Sequence, residues 1–198
     1  MTRYGRDFDT VTRAKDATFR APEKWQDPRM VFTCSWSDFF IEDADDWRGH
    51  AWSIILETKR HTYQILTKRP ERMVGRTPFI SRVPDNCWLG ASVENKQFYR
   101  RIPYLNQIDA TVRFLSVEPM LGPMDDIPLE GIRWLIVGTE SGPGARFTDL
   151  DWIRRLRDKC QAEKVAFFVK QLTTQGGIKI PYESWPEDLK VREWPVHP

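Results

Sequence analysis

Thiols and imidazoles are scarce in this sequence: its 198 residues include three cysteines and three histidines. Cys34, Cys87 and Cys160 are odd in number and widely separated, which argues against a disulfide framework and leaves no paired-cysteine spacing for a metal. They read as buried free thiols. His50, His61 and His197 are scattered as well, so a zinc site would require distant ligands to converge, and none is expected. No apolar run approaches the roughly 20 residues that span a bilayer, and the start Met1-Thr-Arg-Tyr-Gly-Arg6 is too polar for a signal peptide. A cytoplasmic protein with no membrane partner is the expectation. A dominant charge is missing too, with 30 Lys and Arg against 28 Asp and Glu, a formal net charge of +2. Nucleic-acid binders gain much of their affinity from phosphate neutralisation and carry a basic domain or stripe, so a nucleic-acid partner has weak support here.

What the chain does hold is apolar and aromatic material, with 40% hydrophobic residues and 9 Trp, far from the composition of a disordered segment. Its length suits one sizeable core, since domains run to roughly 100 to 200 residues. We read a single α/β domain over residues 1–198, made of an N-terminal arm (1–30), a βα core (31–171) and a C-terminal strap (172–198).

Six short runs rich in Val, Ile, Phe and Trp read as buried strands: 31–38, 62–69, 87–94, 112–118, 132–140 and 165–171. Between them, 43–60 carries Trp47, Ala51, Ile54 and Ile55 at one-face helical spacing, with acids in its first turn. Pro70 suits the first turn of a short helix, and 75–86 reads as loop. Residues 95–108 show a helical face that Pro103 kinks or breaks. Residues 119–131 are too rich in proline for a full crossover helix. Thr148-Asp-Leu-Asp151 resembles a capping box before Trp152, Ile153, Leu156 and Cys160. Strands alternating with helical or loop segments imply right-handed βα units and a mostly parallel sheet.

Parallel strands place their carboxyl ends on one side, where α/β proteins bind ligands. Ser35, Asp38, Thr67, Lys68, Ser92, Glu94, Ser116, Glu118, Glu140, Lys170 and Gln171 close or follow the strand runs, so they are expected to converge on one mouth, Glu118 and Glu140 at the same end. Two carboxylates there suit acid/base chemistry, while Lys68, Arg69 and Arg146 suit an anionic substrate. Pairing of these charges with one another across the mouth is an equal alternative. The loop Gly138-Thr-Glu-Ser141-Gly-Pro-Gly-Ala-Arg146 permits close backbone approach to a ligand but lacks the Lys-Ser/Thr of a phosphate-binding loop. A strand left without a neighbour on one side exposes backbone groups, so Val11, Phe19 and Trp25 of the arm are expected to pack over the edge of the Val31 strand.

Several motifs together carry a resemblance: Cys34-Ser-Trp-Ser-Asp38, Leu66-Thr-Lys-Arg-Pro-Glu-Arg72, Trp88-Leu-Gly-Ala-Ser-Val-Glu94, Phe114-Leu-Ser-Val-Glu-Pro119, Gly138 to Arg146 and Phe168-Val-Lys-Gln171. They resemble the phage- and prophage-associated three-cysteine-motif proteins, a family of unknown function considered similar to radical S-adenosylmethionine enzymes. The resemblance implies a partial (β/α) barrel, with S-adenosylmethionine and an iron–sulfur cluster in a full-length member and a small-molecule or nucleic-acid-derived substrate. It implies that Glu118, Glu140 and Lys170 sit where catalysis occurs, and that Gly138-Thr-Glu140 corresponds loosely to a Gly-Gly-Glu sequence. The family's cysteine-cluster segment is missing, since Met1-Thr-Arg-Tyr-Gly-Arg-Asp7 resembles the region just after it. A truncated core without a cofactor of its own is therefore the expectation. A non-redox enzyme acting on an anionic substrate is one alternative. The other is a nucleic-acid module in which Lys68, Arg69 and Arg72 touch phosphates while tryptophans stack on bases.

Overall fold

A computed structural model describes residues 10–75 and 82–196. The apolar runs form β1 (Met30–Phe32), β2 (Thr62–Thr67), β3 (Cys87–Ser92), β4 (Val112–Val117), β5 (Trp134–Gly138) and β6 (Ala166–Gln171). Every neighbouring pair is parallel and the spatial order follows the sequence, giving a sheet curled into a half-barrel. Such strands are apolar almost throughout because both faces are covered, and β3 and β5 are buried at every position.

Side-chain alternation splits the interior in two. Leu89, Ala91, Leu115, Val117, Leu135, Val137, Phe167 and Val169 point to the convex side and join the main core. On the concave side Trp88, Val112, Phe114, Trp134 and Ile136 fill the half-barrel with their own bulk. Phe114 needs Gly90 beside it, because a Cβ there would overlap the Phe114 ring. The concave face is thus filled by these side chains below its carboxyl-terminal rim.

Two short helices, α1 (Asp16–Phe19) and α2 (Ala21–Lys24), form the arm, and α3 (Asp45–Glu57), α4 (Ile102–Asn106) and α5 (Leu150–Ala162) belong to the core. A 3-10 turn at Glu42–Ala44 leads into α3. The kinked helix expected over 95–108 is instead a 3-10 segment, Lys96–Arg101, followed by α4. Pro103 lies in the first turn of α4, where its missing N–H is not needed, so it starts the α-helix rather than breaking one. The capping box is also displaced. Asp149 caps α5 by accepting from the Asp151 N–H at 2.9 Å, whereas the Thr148 hydroxyl donates to the Met120 carbonyl at 2.8 Å. Residues 119–131 form no helix, yet Met120, Met124, Ile127 and Leu129 fill the convex layer in its place.

The two sheet edges differ. Along β6, Val169 N–H donates to Val191 O and Glu193 N–H to Phe167 O, both at 2.9 Å, so the strap adds an antiparallel cover. Trp194 then turns onto the concave side, 4.9 Å from Trp134. β1 is shorter than the expected 31–38 strand: the chain turns away after Phe32, with Cys34 at φ 55° and Ser37 N–H donating to Cys34 O. The reason is Asp38, which accepts from Phe40 N–H and bridges to the end of β2, pulling 33–38 into a turn. Cys34 is consequently exposed, contrary to its reading as a buried thiol, whereas Cys87 and Cys160 are buried. Among the described residues, the arm lies beside β1. Val11, Phe19 and Trp25 face Val31 and Phe32 across an apolar groove of about 460 Å³, and the rings of Phe19 and Trp25 rest on His50 and His61. His197 and residues 76–81 of the expected loop lie outside the described residues.

Candidate functional site at the carboxyl-terminal rim

Lys68, Glu94, Glu118, Glu140 and Lys170 occupy one end of the sheet, since each closes or follows a strand of the same direction. The register Ser92↔Ser116 carries on by two residues to set Glu94 beside Glu118, and Val117↔Val137 sets Glu118 beside Gly138. Across β2 to β6 the concave rim therefore reads Lys68, Glu94, Glu118, Gly138, Lys170.

Glu94 is the buried member. One carboxylate oxygen meets Lys68 Nζ, the other accepts from Arg101 at 3.0 Å, and Arg101 also donates to Ser92 O at 2.7 Å. Burial pushes the Glu94 carboxyl up, but the hydrogen bond from Lys68 and the charges of Lys68 and Arg101 outweigh it and hold the group below its ordinary value. Arg101 escaped the sequence reasoning because it closes no strand. The 3-10 segment after β3 brings it back, stacked on Phe98 at 4.1 Å.

Glu118 is more open. Its carboxylate accepts from Ser116 Oγ at 3.0 Å and lies 3.2 Å from Lys170 Nζ, whose side chain is 57% exposed. Beyond it, Arg146 holds both oxygens of Glu140 at 2.8 Å and adds its own backbone N–H. That grip lowers the Glu140 carboxyl to about 2. Ser141 is exposed in the same loop, where the Gly142 N–H is spent on Gly177 O, and Gln171 Nε2 donates to Thr139 O at 2.6 Å.

On the β1 side, Asp38 works as a clamp. It accepts from Thr67 Oγ1 at 2.5 Å, Lys68 N–H at 2.8 Å and Arg69 at 3.3 Å, which fixes the turn that presents Lys68. Ser35 is exposed and lines the apolar groove together with Asp38. The rim thus unites most of the sequence-derived residues and pairs nearly every charge with an opposite one.

The three thiols lie on different elements. Cys34 lies in the turn after β1, Cys87 opens β3, and Cys160 sits on α5; burial pushes Cys87 and Cys160 up to about 12. Among the described residues no three His, Cys, Asp or Glu side chains are grouped to hold a metal ion, and no helix is long and apolar enough to cross a membrane.

Comparison with curated proteins and with solved structures yields no match. A sequence profile does match, over residues 1–188, and its family is described as protein of unknown function DUF5131. The match covers the arm, all six strands and most of the strap, so the chain belongs to this uncharacterised family.

Proposed function

We propose that the rim between β3 and β6 binds and acts on a small molecule that carries both an acidic group and a hydroxyl or ammonium donor. The observation that supports this most is the Glu118–Lys170 pair, held at 3.2 Å on the open side of the mouth while Glu94 beside it is buried and fully engaged. In this reading Glu118 accepts the ligand's donor and takes up or returns its proton, Lys170 receives the acidic group, and Glu94 with Lys68 and Arg101 forms a fixed wall. Glu140 and Arg146 border the site without entering it. The motif resemblance and the sequential parallel half-barrel support a further part of the proposal, that the chain is a phage-associated, radical-S-adenosylmethionine-like core.

Thermal-shift screening followed by calorimetry, with amino acids, nucleoside monophosphates and sugar phosphates as probes, tests the proposal. A probe that binds wild type is expected to lose at least tenfold in affinity with both Glu118→Gln and Lys170→Met. Binding untouched by both substitutions would place the site elsewhere.

A further inference from the structure

Glu118 and Lys170 are not on neighbouring strands. β5 runs between them, so their backbones are two strand spacings apart, about 9 to 10 Å. Two local features accompany their 3.2 Å contact. The pairings Val137↔Val169 and Gly138↔Gln171 leave Lys170 as one extra residue on β6, a bulge. Ala166 and Phe168 face the concave side, so Lys170 continues their alternation toward the mouth, and the bulge leaves it without a β5 partner of its own in the ladder. On β5 the position between the two charged groups is Gly138, and a Cβ there would stand 2.8 Å from Glu118 Oε1. The next nearest atoms, Glu118 Cγ at 3.4 Å and Gln171 Cγ at 3.5 Å, are at ordinary contact distance. Gly138 is absent from the glycines with positive φ, so its backbone suits other residues. Glycine stands here for space, and the group using that space is the Glu118 carboxylate.

We propose that Gly138 and the Lys170 bulge are one positioning device, which lets Glu118 lean across β5 and holds it against Lys170. Gly138 is then a positioning residue acting through Glu118, and its importance for binding rests on the proposed role of the pair. The device also sets what the rim accepts: an acceptor and a cation held side by side over a strand with no side chain between them favour a ligand whose acid and donor groups are close together, as in an α-amino acid.

The test reads the pair first and the ligand second. In the wild-type background, Glu118→Gln is expected to move the Lys170 side-chain ¹⁵Nζ resonance, assigned from its loss in Lys170→Met. In Gly138→Ala the same substitution is expected to leave that resonance in place, because Cβ has already displaced the carboxylate. A Lys170 signal that still responds to Glu118→Gln in Gly138→Ala overturns the proposal, as does one that fails to respond in the wild type. Should Gly138→Ala not fold, Gly138→Ala/Glu118→Ser removes the obstructing carboxylate and is expected to fold; its failure would also overturn the proposal. L-Serine then serves as the probe, and its binding to wild type is expected to weaken at least tenfold in Gly138→Ala. Loss of the Lys170 response with L-serine binding intact would uphold the device while removing the pair from ligand recognition.

Discussion

Replacing Arg101 by methionine removes the most deeply seated cation of the rim and leaves Glu94 to share its charge with Lys68 alone. The side chains of Glu94 and Arg101 are 6% and 12% exposed, against 56% for Lys68. Breaking a buried pair costs about 3 to 5 kcal/mol, because a charge is left in a poorly solvated place, whereas an exposed pair contributes about 0 to 1 kcal/mol. Arg101 lies near the first limit with Lys68 offsetting part of the loss, so Arg101→Met is expected to cost about 2 to 4 kcal/mol and Lys68→Met less than about 1 kcal/mol. For a urea slope of about 2 kcal/mol per M, the Arg101→Met midpoint falls by about 1 to 2 M. The pH dependence gives a second readout. A carboxyl whose folded value is depressed stabilises the fold above its unfolded value and loses that contribution as pH falls through the folded one. Glu94 is held below 4.5, so its contribution is present at neutral pH and disappears in acid below that value. Without Arg101, burial presses the carboxyl upward with less opposition, and the acid-side loss begins at higher pH. The double variant Glu94→Met/Arg101→Met is expected to be more stable than Arg101→Met, since no charge is then stranded. If Arg101→Met costs no more than Lys68→Met and the acid arm does not move, Arg101 is not what holds Glu94.

Two further outcomes follow from the surroundings of single groups. Of the three thiols in the chain, Cys34 is expected to react first with a disulfide reagent in the native protein, though slowly, since desolvation and Asp38 push its thiol up to about 11, whereas Cys87 and Cys160 react only on unfolding; three equivalents taken up at one rate without denaturant would contradict the burial of the latter two. Glu140, lowered to about 2 by Arg146, stabilises the fold above about 4.5 and loses that contribution between 4.5 and 2, so Glu140→Gln is expected to flatten the stability curve in that window and a parallel curve would count against the pairing.

The strands were legible because parallel sheet buries both faces, which writes near-continuous apolar runs such as Trp134 to Val137 into the sequence. Convergence of the charges was legible for the same reason, as each closes a strand of common direction. Features set by contacts between distant residues were not. Thr148 and Asp149 are both competent caps, and the choice between them depends on the Met120 carbonyl, a neighbour no local pattern reveals. The strand from Val31 reads on to Asp38 because Phe32, Cys34 and Trp36 alternate like strand residues, while the Asp38 contacts that turn the chain lie on β2. Arg101 hides for the same reason. Gly138 was visible as a glycine near the mouth, but its use is defined by a carboxylate from β4 and a bulge on β6.

Pairing of β1 to β6 in their order along the chain keeps most sheet contacts between neighbours in sequence, which lowers the loop entropy that must be overcome before each strand is added. During synthesis each strand can dock on one already made, so the sheet can grow on the ribosome in a single direction without waiting for a distant partner. The segment that closes the β6 edge follows all six strands in the chain. Until Val191 to Glu193 arrive, β6 presents an open flank, and a ribosome stalled just short of them would hold a nearly complete sheet with that margin available to pair with other chains.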